Sequence, residues 1–255
     1  DTLEDPYHMS SDGKSLKTFD YIVCNPPFKL DFSSSREKLD AMRTRFWAGV
    51  PSVPKKKKDQ MAIYTCFIQH VLNSLKENGK AAIVLPTGFL TAKSGIESKI
   101  LKHVIEKHIV SGVISMPSNV FANTGTNVSV VFFDNSKKAD KAILIDASKL
   151  GEEYQEGNNK KVRLTADEIA KIVDTFQNKK DVEDFSIAVS YEDLAKKCSL
   201  AAGQYFDVKI EYVDITHEEF EAKMKEYKDN LKDYFKKSHE LEEEIQKQLE
   251  LLKYE

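Results

Sequence analysis

The chain has 255 residues, 41% of them hydrophobic, and a net charge of −3. That is enough apolar material for one large domain, or for a domain with an appendage. No apolar run reaches the ~18 residues of a membrane helix, the three scattered cysteines suit a reducing compartment such as the cytoplasm, and the near-neutral balance leaves nucleic-acid binding to a local patch.

The chain opens on Asp1-Thr2-Leu3-Glu4-Asp5-Pro6, without an initiator Met or a signal-like segment, and reads as an internal start. Residues 19–24 (FDYIVC) are almost unbroken apolar, which predicts a strand covered on both faces, the habit of a parallel sheet. The strand runs into Asn25-Pro26-Pro27-Phe28. Two prolines fix φ at about −65° and lock the chain direction after Asn25. They make a rigid shelf at a strand's carboxyl end, the edge where open α/β sheets bind ligands. A basic loop follows over residues 29–60. It carries nine positive charges (Lys29, Arg36, Lys38, Arg43, Arg45, Lys55, Lys56, Lys57 and Lys58) against four negative ones (Asp31, Glu37, Asp40 and Asp59).

Residues 61–75 place Ile63, Phe67, Ile68, Val71, Leu72 and Leu75 at helical spacing, closed by Asn78-Gly79. A second buried strand is predicted over 80–85 (KAAIVL), a helix over 95–108 and a third strand over 109–116. After a turn at 123–126, residues 127–133 (NVSVVFF) read as a fourth strand and 141–146 as a candidate fifth. Such alternation predicts an α/β sheet. Residues 150–163 are polar and read as a mobile connection. Thr165 with Glu168 three residues later is a capping box that opens a helix. Farther on, Phe220, Tyr227, Tyr234 and Leu241 share one heptad position, and Met224, Leu231, Ile245 and Leu252 another. Residues 218–252 are therefore predicted to form one long helix with a coiled-coil seam, packed either on its own domain or on a partner.

The shelf suits one kind of chemistry. An exocyclic amine on an aromatic base is a poor nucleophile because its lone pair is delocalised into the ring. The Asn25 side-chain oxygen and the Pro26 carbonyl can each accept one N–H from such an amine, which frees the lone pair for in-line attack. Phe28 beside them can hold the base by stacking, worth ~1–3 kcal/mol. A base inside a duplex must first be flipped out, at a cost of a few kcal/mol, and the basic loop can grip phosphates meanwhile. A solvated surface loop is the alternative reading of that charge.

Asn-Pro-Pro-Phe behind an apolar strand resembles the catalytic motif of the amino-methyltransferases that methylate adenine N6 from S-adenosylmethionine. FDYIVCNPPF, FIQHVLNSLKENGKAAIVLPTGFL, VISMPSNVFANTGTNVSVVFF and the segment from RLTADEIAKIV to YEDLA also resemble, in the same order, the methylation (modification) subunit of type I restriction–modification systems. The resemblance implies an α/β fold: part of a Rossmann-like S-adenosylmethionine-dependent methyltransferase sheet of seven strands, the last antiparallel, with a helical carboxyl-terminal extension. It divides the chain into the carboxyl-terminal half of a catalytic domain (1–150), a helical extension (151–215) and a heptad-patterned helix (216–255). It implies that Asn25, Pro26, Pro27 and Phe28 form the catalytic shelf. Asp1 matches the acidic position of the family's GDTL-like segment, near the cofactor's adenine. Lys29, Arg36, Arg43, Arg45 and Lys55–Lys58 are then candidate contacts to double-stranded DNA, and the specificity and restriction subunits of the same system are the expected partners.

One departure limits the analogy. The family places a Phe-x-Gly-x-Gly cofactor loop before the shelf, and none of the ten glycines here forms a Gly-x-Gly pair. The missing loop and the internal start predict a carboxyl-terminal portion of the subunit, inactive alone. Rival readings are methylation of a glutamine amide or an RNA base, which the same shelf suits, and a non-catalytic partner-binding module built on the heptads. Cys24 reads as core packing rather than a nucleophile. The six histidines show no zinc spacing, so no metal is expected.

Overall fold

The computed structural model describes residues 1–13, 15–120, 127–136, 139–157, 159–207 and 216–250, so the turn expected at 123–126 lies outside the described residues. The chain divides into two compact units, Asp1–Asp207 and Val208–Glu255.

In the first unit β1 (Phe19–Cys24) leads through the lobe that holds α1 (Arg36–Ala41) to α2 (Tyr64–Asn73) and β2 (Leu75–Pro86). Then come α3 (Gly95–Glu106), β3 (Val110–Ser115), β4 (Val128–Asp134) and β5 (Lys141–Asp146). A hairpin of β6 (Glu152–Glu156) and β7 (Asn159–Arg163) precedes α4 (Ala166–Asn178), β8 (Ser186–Ser190) and α5 (Tyr191–Lys197). The main sheet has the order β1-β2-β4-β3-β5-β8. β1 lies parallel to β2 and β3 parallel to β5, while β4 runs antiparallel between β2 and β3. Four carboxyl ends, Cys24, Pro86, Ser115 and Asp146, therefore share one edge of the sheet.

The core lies mainly on one face. Ile68 and Val71 of α2 and Ile100, Leu101, Val104 and Ile105 of α3 pack with Ile83, Leu85, Val113, Val131, Phe133 and Leu144 from the strands. On the other face α4 supplies Ile172, which joins Ile114, Ile143, Ile145 and Phe185. Gly112 makes this approach possible, since a Cβ there would stand 2.7 Å from both the Ile143 carbonyl and the Phe176 ring. The predicted capping box at Thr165 and Glu168 is present at the start of α4.

Four expectations change. β1 is not covered on both faces: it is an edge strand, and Tyr21 and Val23 are 78% and 88% exposed. Ile22 and Cys24 pack on the main core, whereas α4 lies over β3 and β5 and reaches β4 through Phe176 against Phe132, at 4.6 Å between ring centroids, on the opposite face. Asn78-Gly79 does not close a helix; β2 begins at Leu75 and runs for 12 residues. Within the polar stretch over 150–163, Glu152–Glu156 and Asn159–Arg163 pair as a hairpin, with Gly157 at φ 62° after its first strand and the Val162 N–H donating to the Asn119 carbonyl. Residues 151–215 are not a separate helical extension either, because β8 pairs antiparallel with β5 in the same sheet. Short polar segments around β8 hide that pairing from a period count, which reads local pattern and not the partner strand.

The second unit contains α6 (His217–Glu250), whose 34 residues span about 50 Å at 1.5 Å per residue. Thr216 and Glu219 exchange capping hydrogen bonds at its start. Among the described residues of the heptad seam, Phe220, Tyr227, Tyr234 and Leu241 are each about half exposed or more.

Candidate active site

The motif sits at the carboxyl edge of the sheet, directly after β1. Pro26 is buried and anchors the turn, while Asn25 and Pro27 are exposed and Phe28 is half-buried against the main core. Among the described residues the Asn25 amide makes no hydrogen bond, leaving its oxygen available as an acceptor. Neighbouring Cys24 is half-buried, and burial pushes its thiol up, away from the thiolate that a nucleophile requires. The two clefts along β1, of about 390 and 410 Å³, open beside Tyr21 and Val23 and include none of the four motif residues in their walls.

The basic loop is an organised lobe rather than a flexible excursion. Leu3, Phe32, Leu39, Phe46, Val50, Met61, Ile63 and Cys66 form a small core beneath it. Its neck closes where Lys29 Nζ donates to Gln60 Oε1 at 2.8 Å and the Leu30 N–H to the Met61 carbonyl at 3.1 Å. Lys55–Lys58 are all exposed, precede that neck directly, and form no ion pair among the described residues. The arginines fare differently. Arg36 pairs with Asp40 at 3.3 Å and Arg43 with the same carboxylate at 3.8 Å. Arg45, expected as a DNA contact, is 8% exposed and spends its donors inside the protein. A sequence count of charges sees the sign of a side chain but not which carbonyls surround it.

Asp1 is exposed and caps its own turn, its Oδ1 accepting the Leu3 and Glu4 N–H groups at 2.7 and 3.1 Å. Other groups at the carboxyl edge carried no sequence signal. Thr87 follows β2, and its hydroxyl lies 2.9 Å from that of Ser129, a fully buried serine at the start of β4. Tyr64, in the first turn of α2, donates to Glu97 in the first turn of α3 at 3.3 Å, and burial pushes its phenol up. Both pairs cross between elements distant in sequence, which no local motif records.

The family model for N-6 DNA methylases matches residues 1–213. The methylase subunit of the type I restriction enzyme MjaIX from Methanocaldococcus jannaschii is 32% identical over 98% of this chain and 45% of its own length. That of HindI from Haemophilus influenzae is 30% identical over the whole chain and 55% of its own length. The crystal structure of a type I restriction–modification methyltransferase subunit from Streptococcus thermophilus superposes with a TM-score of 0.64 at 27% identity, covering 81% of this chain and 41% of that one. The chain thus spans about half the length of the relatives it matches, its mixed sheet superposes on that of a methyltransferase subunit, and it belongs to the N-6 DNA methylase family.

Proposed function

We propose that this chain carries the target-amine corner of a DNA adenine-N6 methyltransferase, the modification subunit of a type I restriction–modification system. The observation that carries the reading is the Asn25 amide: exposed, without a hydrogen bond among the described residues, and fixed between a strand end and a buried proline in a chain of this family. Asn25 Oδ1 and the Pro26 carbonyl accept the two N–H groups of adenine N6 and draw the nitrogen out of conjugation. Phe28, half-buried and braced on the core, stacks on the extruded base. Pro27 keeps the turn from relaxing. Bound S-adenosylmethionine supplies an electrophilic methyl group. Asp1 offers that cofactor one carboxylate, whereas these residues contain no Gly-x-Gly cradle for it, so the remaining contacts are assigned to polypeptide beyond these 255 residues.

Lys29 and Lys55–Lys58 are the phosphate contacts of choice, with Arg36 and Arg43 contributing through the donors that their shared Asp40 leaves open. Recognition of a DNA sequence is assigned to a specificity subunit, for which the exposed heptad residues Phe220, Tyr227, Tyr234 and Leu241 of α6 are the docking face, and cleavage to a restriction subunit. The test uses the complete subunit with its specificity subunit and a duplex carrying 2-aminopurine at the target adenine. Binding is expected to raise its fluorescence as the base leaves the stack, and Phe28→Ala to weaken the complex by ~1–3 kcal/mol, the worth of one stacked base. A fluorescence signal that stays flat on binding, or is indifferent to Phe28, contradicts the flipped-base reading.

A further inference from the structure

Arg45 lies in the basic lobe, yet every nitrogen of its guanidinium is engaged internally. Nη1 donates to the Leu3 carbonyl at 2.7 Å and approaches Met42 Sδ at 3.7 Å, while Nη2 donates to the Thr2 carbonyl at 2.8 Å. Nε and Nη2 reach His70 Nδ1 at 3.1 and 2.8 Å. The guanidinium carbon stands 5.0 Å from the centroid of the Phe46 ring, and the Arg45 carbonyl accepts from Asn73 Nδ2 at 3.0 Å. His70 can play this part only as a neutral imidazole with its proton on Nε2. Burial, and then the neighbouring Arg45 charge, lower its pKa to about 4, so the ring stays an acceptor at neutral pH.

The two carbonyls held by Arg45 belong to the turn whose N–H groups hold Asp1. Leu3 N–H and Glu4 N–H both point at Asp1 Oδ1, and the Leu3 side chain is 2% exposed in the lobe's own core. A continuous polar path therefore runs from His70 on α2 through the guanidinium and the Thr2 and Leu3 carbonyls to the Asp1 carboxylate. Asp1 Oδ2 has no hydrogen bond among the described residues, and the residue is exposed. A carboxylate with one oxygen pinned and the other open is suited to accept from a hydroxyl or an amine of a ligand.

We propose that Arg45 is a positioning residue for the cofactor side of the site, fixing the Asp1 carboxylate through the Thr2–Leu3 peptide, and that it makes no contact with DNA. The assignment rests on reading Asp1 as a contact to the adenosine part of S-adenosylmethionine. It divides the basic lobe by role: its exposed lysines face phosphate, and its buried arginine faces inward.

The test takes the complete subunit and measures equilibrium binding of S-adenosylmethionine beside the salt dependence of DNA binding. Arg45→Lys keeps a cation but replaces the two-pronged guanidinium fork, with its separate nitrogens on the two carbonyls and on His70, by a single shorter-reaching nitrogen. It is expected to weaken cofactor binding by about tenfold, within the ~10²-fold that a misplacement of about 1 Å can cost; Arg45→Gln, which removes the charge, is expected to weaken it as well and to leave the salt slope of DNA binding unchanged. His70→Gln, which keeps an acceptor, is expected to retain cofactor affinity, and His70→Leu to lose it. Neutralising Lys55–Lys58 is the contrast: the salt slope is expected to fall by about 0.9 for each phosphate no longer neutralised, at constant cofactor affinity. A slope lowered by about one in Arg45→Gln, which removes the cation, with cofactor binding intact would make Arg45 a phosphate contact and overturn the proposal. So would a variant that merely melts at lower temperature, with both affinities unchanged. Asp1→Asn binding cofactor normally would overturn it as well, while leaving the Asn25 shelf untouched.

Discussion

Asn25→Ala in the complete subunit is expected to lower the rate of methyl transfer by ~10²–10³, the usual cost of removing one acceptor or donor aimed at charge that develops in the transition state. The amide oxygen is one of only two acceptors assigned to the N6 amine, and the other, the Pro26 carbonyl, cannot polarise both N–H groups. Stability should not follow activity. Asn25 is exposed and makes no hydrogen bond among the described residues, so the substitution removes no packing and orphans no partner. The check is single-turnover transfer beside a denaturant midpoint. Transfer surviving at more than a few per cent of the parent rate, or a collapse of the midpoint together with the rate, speaks against the amine-polarising role.

The second large effect concerns the frame that carries the shelf. Gly112→Ala is expected to destabilise this chain by ~1–3 kcal/mol, the common cost of overpacking a close-packed interior. The added methyl would meet the Ile143 carbonyl, the Ile143 side chain and the Phe176 ring, each at 2.7 Å. A carbonyl in a strand ladder cannot step aside without disturbing the β3–β5 register, where Gly112 faces Ile143 directly. Urea unfolding of the chain measures it. An unchanged or raised midpoint, which glycine replacement gives at compatible sites through the unfolded state, would mean that β3 and α4 are not packed so closely.

What could be read from the sequence was whatever depends on neighbours along the chain. The apolar runs at 109–116, 127–133 and 141–146 became β3, β4 and β5 because burial selects β-branched and aromatic side chains wherever a strand lies in a core. The Thr165–Glu168 cap was visible because both partners lie within one turn. The place of the motif directly after a strand was legible too, since two prolines end a strand whatever surrounds them. Long-range placement was not. Nothing in FDYIVC distinguishes a central strand from an edge strand, and β1 proved to be the edge, with Val23 88% exposed. Nothing in a run of basic residues separates Lys57, exposed to solvent, from Arg45, enclosed by Thr2, Leu3 and His70 from distant parts of the chain. Thr87 with Ser129, and Tyr64 with Glu97, were equally invisible because each pair is made by the sheet and not by spacing.

The most direct measurement of what the Asn25–Phe28 shelf accepts is the identity of the methylated atom. The complete subunit, with its specificity subunit and a labelled methyl donor, is given duplex DNA, RNA and protein in one mixture, and the products are digested to nucleosides and amino acids and resolved. On this reading label is expected in N6-methyladenine alone, accumulating ~10²–10³ more slowly when Asn25 is alanine. Label in cytosine, in RNA or in a protein glutamine would contradict it.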